Sequence, residues 1–207
     1  MPKAHNRRSH RSAYHGRRSE LKFTFTHFAV MIIVVGLIIA WWLTATTSAA
    51  FPFAQTYRVP GSPTISADFI NRVLDNYHSP AAGKGQALYN YGVQYDIDPV
   101  YALAFFMHES SFGTTGVATV THSLGNIRSS EGYQDYDGYR EYRTWEEGFE
   151  DWYRLIADQY VKQWGLTTVD QIIPVYAPSS DNNDVAAYIQ AVKNAVDTWR
   201  SGTLEIS

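Results

Sequence analysis

The chain has 207 residues, with 17 Lys and Arg against 20 Asp and Glu, and no cysteine. Without thiols, disulfide frameworks and thiolate metal sites are excluded, and a folded domain must rest on its apolar core. The net charge of −3 hides two opposite parts: residues 1–22 hold seven basic residues against Glu20, and the remainder holds ten against nineteen acids. So acidic a remainder argues against a nucleic-acid partner, which needs a basic surface.

The first predicted element follows the basic segment. No Asp, Glu, Lys or Arg occurs between Phe23 and Tyr57, and Phe28–Leu43 is unbroken apolar sequence. Extended to Thr47, it reaches the lower end of the roughly 17–25 residues that a spanning helix needs. The positive charge before it predicts a cytoplasmic tail over 1–22, a transmembrane anchor or signal segment over 23–47, and an extracytoplasmic location for the rest. Ser48-Ala49-Ala50 offers a cleavage site that would release a secreted domain near Ala50. The long basic region and long apolar run favour the uncleaved anchor, and hence a membrane association. Residues 48–65 have no period and read as a linker; residues 66–201 read as the domain.

Within that domain Ser66 is a predicted N-cap, with Phe69, Val73, Leu74 and Tyr77 at helical spacing until Pro80. A second helix is predicted over Gly85–Tyr95. Asp98-Pro99 then opens a third, with Asp as cap and Pro at the first position. This helix, Pro99 to about Ser110, has no polar face until Glu109, so it belongs in the middle of a core. Asp137-Gly138 is a two-residue hairpin turn that pairs Tyr136 with Tyr139, Asp135 with Arg140, and Tyr133 with Tyr142. Thr144 and Glu147 form a capping box ahead of a helix burying Phe149, Trp152, Leu155 and Ile156. A short helix near 169–175 is expected to break at Pro174, and residues 176–184 to form a loop. Asp184 caps a last helix with Tyr188, Ile189, Val192, Val196 and Trp199 inward. The sum is a mostly α domain with one short β-hairpin, preceded by one transmembrane helix.

Glu109 admits two readings: a side chain escaping to solvent from the last helical turn, or a functional acid. Phe105 and Phe106 share its face, and desolvation there raises a carboxyl pKa. A carboxyl kept protonated near neutrality can hand a proton to a leaving oxygen, as glycosidic cleavage requires. The ordered set Phe105-Phe106-Met107-His108-Glu109-Ser110-Ser111-Phe112-Gly113, then Ser123-Leu124-Gly125-Asn126-Ile127-Arg128, then Tyr142 to Trp152 resembles the glucosaminidase branch of the lysozyme-like superfamily. This is the glycoside hydrolase family 73 type, also described as mannosyl-glycoprotein endo-β-N-acetylglucosaminidase-like. The resemblance spans about residues 66–200. It implies a lysozyme-like fold, Glu109 as general acid, and a glycan substrate with β-1,4-linked N-acetylglucosamine, most plausibly peptidoglycan. It also implies a β lobe longer than this hairpin, carrying a second acid.

A second carboxyl belongs about 5 Å away in a retaining mechanism and about 6.5–9.5 Å away in an inverting one. Asp135 is expected to pair with Arg140 and Asp137 to form the turn, which leaves Glu131 as the preferred second catalytic acid. Substrate assistance and lytic transglycosylation need no second carboxylate, so a lytic transglycosylase stands as an alternative, as does a non-catalytic tethered glycan-binding module. Phe112, Asn126, Tyr136, Trp152 and Tyr176 are the candidate substrate-binding residues, aromatic rings being suited to stacking on sugars and Asn126 to hydrogen bonding. His108 lies about 100° round the helix from Glu109 and reads as a packed histidine. Asp181-Asn182-Asn183-Asp184 lacks the spacing of a calcium loop. No metal and no cofactor are expected, and the oligomeric state is left open.

Overall fold

Asp98 starts the element around which the domain is built. Its backbone is extended, its carboxylate accepts from the amide of Val100, and Pro99 occupies the first helical position where no amide partner is needed. From there the helix Pro99–Ser110 runs with Val100 to Phe106 fully inside the core, as its uniformly apolar sequence predicts. The computed structural model describes residues 57–206. The basic segment 1–22, the expected membrane segment 23–47 and the first part of the linker lie outside the described residues. Among the described residues no helix is long and apolar enough to cross a membrane.

In chain order the elements are α1 Ala67–Asn76, α2 Gly85–Tyr95, α3 Pro99–Ser110, the single turn α4 Ala118–Thr121, β1 Gln134–Tyr136, β2 Tyr139–Glu141, α5 Trp145–Arg154, α6 Val169–Tyr176 and α7 Val185–Arg200. The central helix α3 packs against α2 and α7; α1 lies on α2, α2 on α5, and α6 on α7. The caps follow the sequence. Ser66 accepts from Phe69, Thr144 from Glu147 and Asp184 from Ala187. The capping box is displaced by one residue, because the Glu147 carboxylate takes the amide of Arg143 rather than that of Thr144.

Three expectations are corrected. Residues 57–65 are integral to the domain rather than linker. Val59 and Ile65 are buried, and backbone bonds tie Val59 to Thr167 and Asp98, and Tyr57 to Val169. Isolated bridges of this kind leave no periodic signature in sequence. Pro174 does not break α6, which runs on to Tyr176. Buried Val169, Ile172 and Ile173 anchor the helix, and Ala177 still bonds to Ile173, while the carbonyl that Pro174 leaves unpaired belongs to exposed Asp170. Finally, α5 does not end in an ordinary α-turn but continues as a π-helical segment, Leu155–Gln163. The amide of Trp164 reaches back five residues to Gln159. Such widened turns are rare and gather at functional sites.

The hairpin has the predicted register, Gln134 with Glu141, Asp135 with Arg140, Tyr136 with Tyr139. Asp137 and Gly138 both sit at positive φ, as a type I′ turn demands. The Arg140 guanidinium, however, ignores Asp135 and pairs with Asp151 of α5 at 2.7 Å. Asp135 is solvated whereas Asp151 is buried, and an ion pair is stronger where water is excluded.

Asp98 also ties the N-terminal segment and α7 to α3, accepting from the Thr64 amide and hydroxyl and from Arg200. Asp98→Ala leaves these donors unpaired at a buried site. Urea unfolding is expected to show a loss of about 3 kcal/mol, against under about 0.5 kcal/mol for a surface change such as Asp68→Ala.

Candidate active site

The end of α3 is made by Glu109-Ser110-Ser111-Phe112-Gly113. Ser111, Phe112 and Gly113 all adopt positive φ, so the chain reverses in one tight turn. Phe112 tolerates that conformation because its ring is driven into the core, against Tyr77 and Trp199. Ser110 clamps the turn: its hydroxyl donates to the Leu124 carbonyl at 2.8 Å and accepts from the Gly113 amide. The motif therefore docks the returning loop onto the helix end.

That loop, Ser123 to Arg128, lies on an aromatic floor. Phe105 meets Trp152, Tyr176 and Tyr188, and Phe106 meets Trp152 and Phe149, with centroids 5.2–6.0 Å apart. Gly125 is required here, since a Cβ would come within 2.5 Å of the Trp152 ring. The Tyr176 hydroxyl donates to the Gly125 carbonyl and accepts from the Trp152 indole. Asn126, at positive φ, donates its amide to the main-chain carbonyl of Glu109 at 2.7 Å and so caps α3. Its Oδ1 is buried with no partner among the described residues.

The Glu109 carboxylate accepts from the Tyr188 hydroxyl at 2.6 Å. Burial raises the Glu109 pKa to about 7, against opposition from the Tyr188 hydroxyl, the Asn126 amide and the charge of Arg128. Burial and the neighbouring Glu109 charge push the Tyr188 phenol well above its ordinary value, so it remains a donor. His108 stacks on the Tyr188 ring at 3.6 Å but is exposed, so the expected packed histidine is stacked rather than enclosed.

Glu109 opens into a cleft of about 290 Å³ lined by Asn126, Ile127 and Arg128 of the loop, Tyr139 and Arg140 of β2, Leu155, Gln159 and Tyr160 of the π-helical segment, Tyr176 at the end of α6, and Asp181 and Asn183 beyond it. Of the residues singled out from sequence, Glu109, Asn126 and Tyr176 meet here. Phe112 and Trp152 are corrected from substrate contacts to core, both being fully buried. Their size and apolarity fit either role in sequence, and only packing distinguishes them. Tyr136 is exposed at the hairpin tip, outside the cleft lining. Its strand partner Tyr139 supplies the ring instead. Glu131 lies exposed in the loop before the hairpin and does not line the cleft; the other carboxylate that does is Asp181.

Asp151 went unrecognised in sequence, because an acid on a helix usually faces water. It accepts from Tyr133, Arg140, Tyr142 and Arg154. Burial alone would raise its pKa, but the bonds from Tyr142, Arg140 and Tyr133 outweigh it and hold the carboxyl below its usual value. Helical spacing gave no signal, since Asp151 lies about 100° round the helix from Trp152 and off the apolar face.

A mostly helical domain with a small hairpin, carrying a protonatable carboxyl at the end of its buried helix, defines a lysozyme-like glycosidase architecture. Residues 85–201, more than half of the chain, match the family model of mannosyl-glycoprotein endo-beta-N-acetylglucosaminidase. The chain belongs to this glucosaminidase family and is a glycoside hydrolase. Among solved structures it is similar to S. aureus autolysin E, with TM-score 0.50 and 10% identity over 71% of this chain and 72% of that one. It is equally similar to a catalytic mutant of autolysin E in complex with the disaccharide NAG-NAM, at TM-score 0.50 and 9% identity over 71% and 73% of the two chains. At this identity the likeness shows the fold. No curated protein matches the chain.

Two outcomes follow from the Glu109 environment. Because the fold favours its protonated form, the native state is penalised as pH rises from the ordinary carboxyl range through about 7. Glu109→Gln should therefore unfold at a higher temperature than the wild type at pH 8, with the gap closing below pH 4.5. Because the Tyr188 hydroxyl favours the charged form, Tyr188→Phe should raise the titration midpoint of the Glu109 carboxyl, read by NMR titration of the side chain; a midpoint that stays put or falls would show that this bond does not tune it.

Proposed function

We propose that the protein is an extracytoplasmic endo-β-N-acetylglucosaminidase that cleaves β-1,4 bonds of peptidoglycan, with Glu109 as general acid. The observation that carries this reading is a carboxyl held near pKa 7 by burial at the base of an open cleft, in a chain of the glucosaminidase family. Protonated Glu109 donates to the glycosidic oxygen as the bond to the anomeric carbon breaks. The Tyr188 hydroxyl holds one oxygen of the carboxyl and fixes its orientation at the cleft. Asn126 lines the cleft beside Glu109 and steadies it by holding the Glu109 main-chain carbonyl. Asp181, rather than Glu131, is the carboxylate the cleft offers for activating water. The complex of the autolysin E mutant with NAG-NAM supports a peptidoglycan substrate. The basic segment followed by the apolar run supports anchorage in a membrane with the enzyme outside.

Lytic transglycosylation is the second reading, favoured by the exposure of Asp181, the one further carboxylate among the described residues that lines the cleft, since that chemistry recruits no second carboxylate. Product mass separates the two, a 1,6-anhydro end being one water lighter than a hydrolysed end. Purified peptidoglycan is expected to yield reducing ends, and Glu109→Gln to lower turnover by at least about 100-fold. Turnover by that variant at the parental rate would remove Glu109 from the chemistry. Asp181→Asn should cost at least tenfold and Glu131→Gln less than about threefold; the reverse order would return the second acid to the hairpin loop.

A further inference from the structure

Two guanidinium groups line the cleft beside Glu109, those of Arg128 and Arg140. Arg140 is fully engaged: it pairs with Asp151 and donates to Ser130 and to the Arg128 carbonyl. Arg128 is different. Among the described residues its side chain makes no ion pair, although this part of the chain carries nineteen acids against ten bases. Glu109 and Asp181 line the same cleft, and neither pairs with it.

The group is nevertheless held in position. Its guanidinium lies over the Tyr139 ring, 4.7 Å from the centroid, and its backbone bridges to Tyr139 across the hairpin. Stacking occupies one face of the guanidinium and leaves its in-plane N–H groups available, the fork that takes a carboxylate bidentately. Arg58 and Arg72 also lack acid partners, but neither lines the cleft. A stacked, unpaired arginine at the mouth of an acid-bearing cleft is an arrangement for an anionic ligand.

We propose that Arg128 is a specificity-determining residue that binds a carboxylate of the glycan, so that the enzyme selects acidic strands over neutral ones. This deepens the glycosidase reading and rests on it. The carboxylate has two sources, the lactyl group of a muramic residue without its peptide, or an acid of the attached peptide. Arg128 and Glu109 line one cleft, so the recognised carboxylate and the reacting bond belong to the same bound strand.

The test uses the full-length protein in detergent with three substrates. These are strands stripped of peptide, peptide-bearing strands, and stripped strands with their carboxyl groups amidated. Arg128→Gln is expected to lose at least tenfold in kcat/KM on one or both acidic strands and less than twofold on the amidated ones. Which acidic strand suffers identifies the source. Arg128→Lys, which keeps the charge without the fork, should recover part of the loss. Equal losses on acidic and amidated strands, or no loss on either, would overturn the assignment. Binding by Glu109→Gln, with and without Arg128→Gln, separates the two readings. If the wild type cleaves none of the three while binding still depends on Arg128 and on the carboxylate, the glycosidase reading fails and the recognition stands. If neither cleavage nor binding discriminates, both fall.

Discussion

The candidate site is organised around one carboxyl held largely, though not wholly, away from water. Everything around Glu109 follows from ending a fully apolar helix with an acid: Phe105 and Phe106 below it, the Ser110 clamp that closes the returning loop, and Gly125 letting that loop lie on Trp152. Desolvation opposes the charged form, whereas Tyr188 and Asn126 support it. A carboxyl balanced between these effects exchanges its proton near neutrality, where a general acid is most useful. The floor of the cleft is thus a hydrophobic core with a single chemical outlet.

Much of the fold was legible in the sequence because helices announce themselves by local rules. Ser66, Asp98, Thr144 and Asp184 are caps whose side chains compete for orphan amides, and each starts a helix in the structure. The Asp137-Gly138 turn fixed the hairpin register for the same local reason. What failed was non-local. Residues 57–65 join the domain through single bridges to distant segments, and the π-helical stretch has a composition that an ordinary helix would accept.

The site divides in the same way. Glu109 was legible because its neighbours at helical spacing are aromatic, which requires no knowledge of the fold. Phe112 and Trp152 were misassigned because a large ring suits a core and a sugar platform equally. Tyr136 shares a sheet face with its partner Tyr139 but lies outside the cleft lining, as does Glu131 in the loop before the hairpin; Tyr139 and Asp181 hold lining positions instead. Asp151 stayed hidden because its partners come from two strand ends and a helix, which meet only in the folded chain.

That buried acid has a consequence for the cleft as a mechanical object. The hairpin has no apolar face of its own, its strands being exposed or half-buried throughout. Through Arg140, Tyr133 and Tyr142 it is moored to Asp151 on α5 by polar bonds. Floor and wall therefore obey different solvent variables: the floor is held by water exclusion, the wall by charge and hydrogen bonding. Acid strong enough to protonate Asp151 loosens the wall while the floor stays packed.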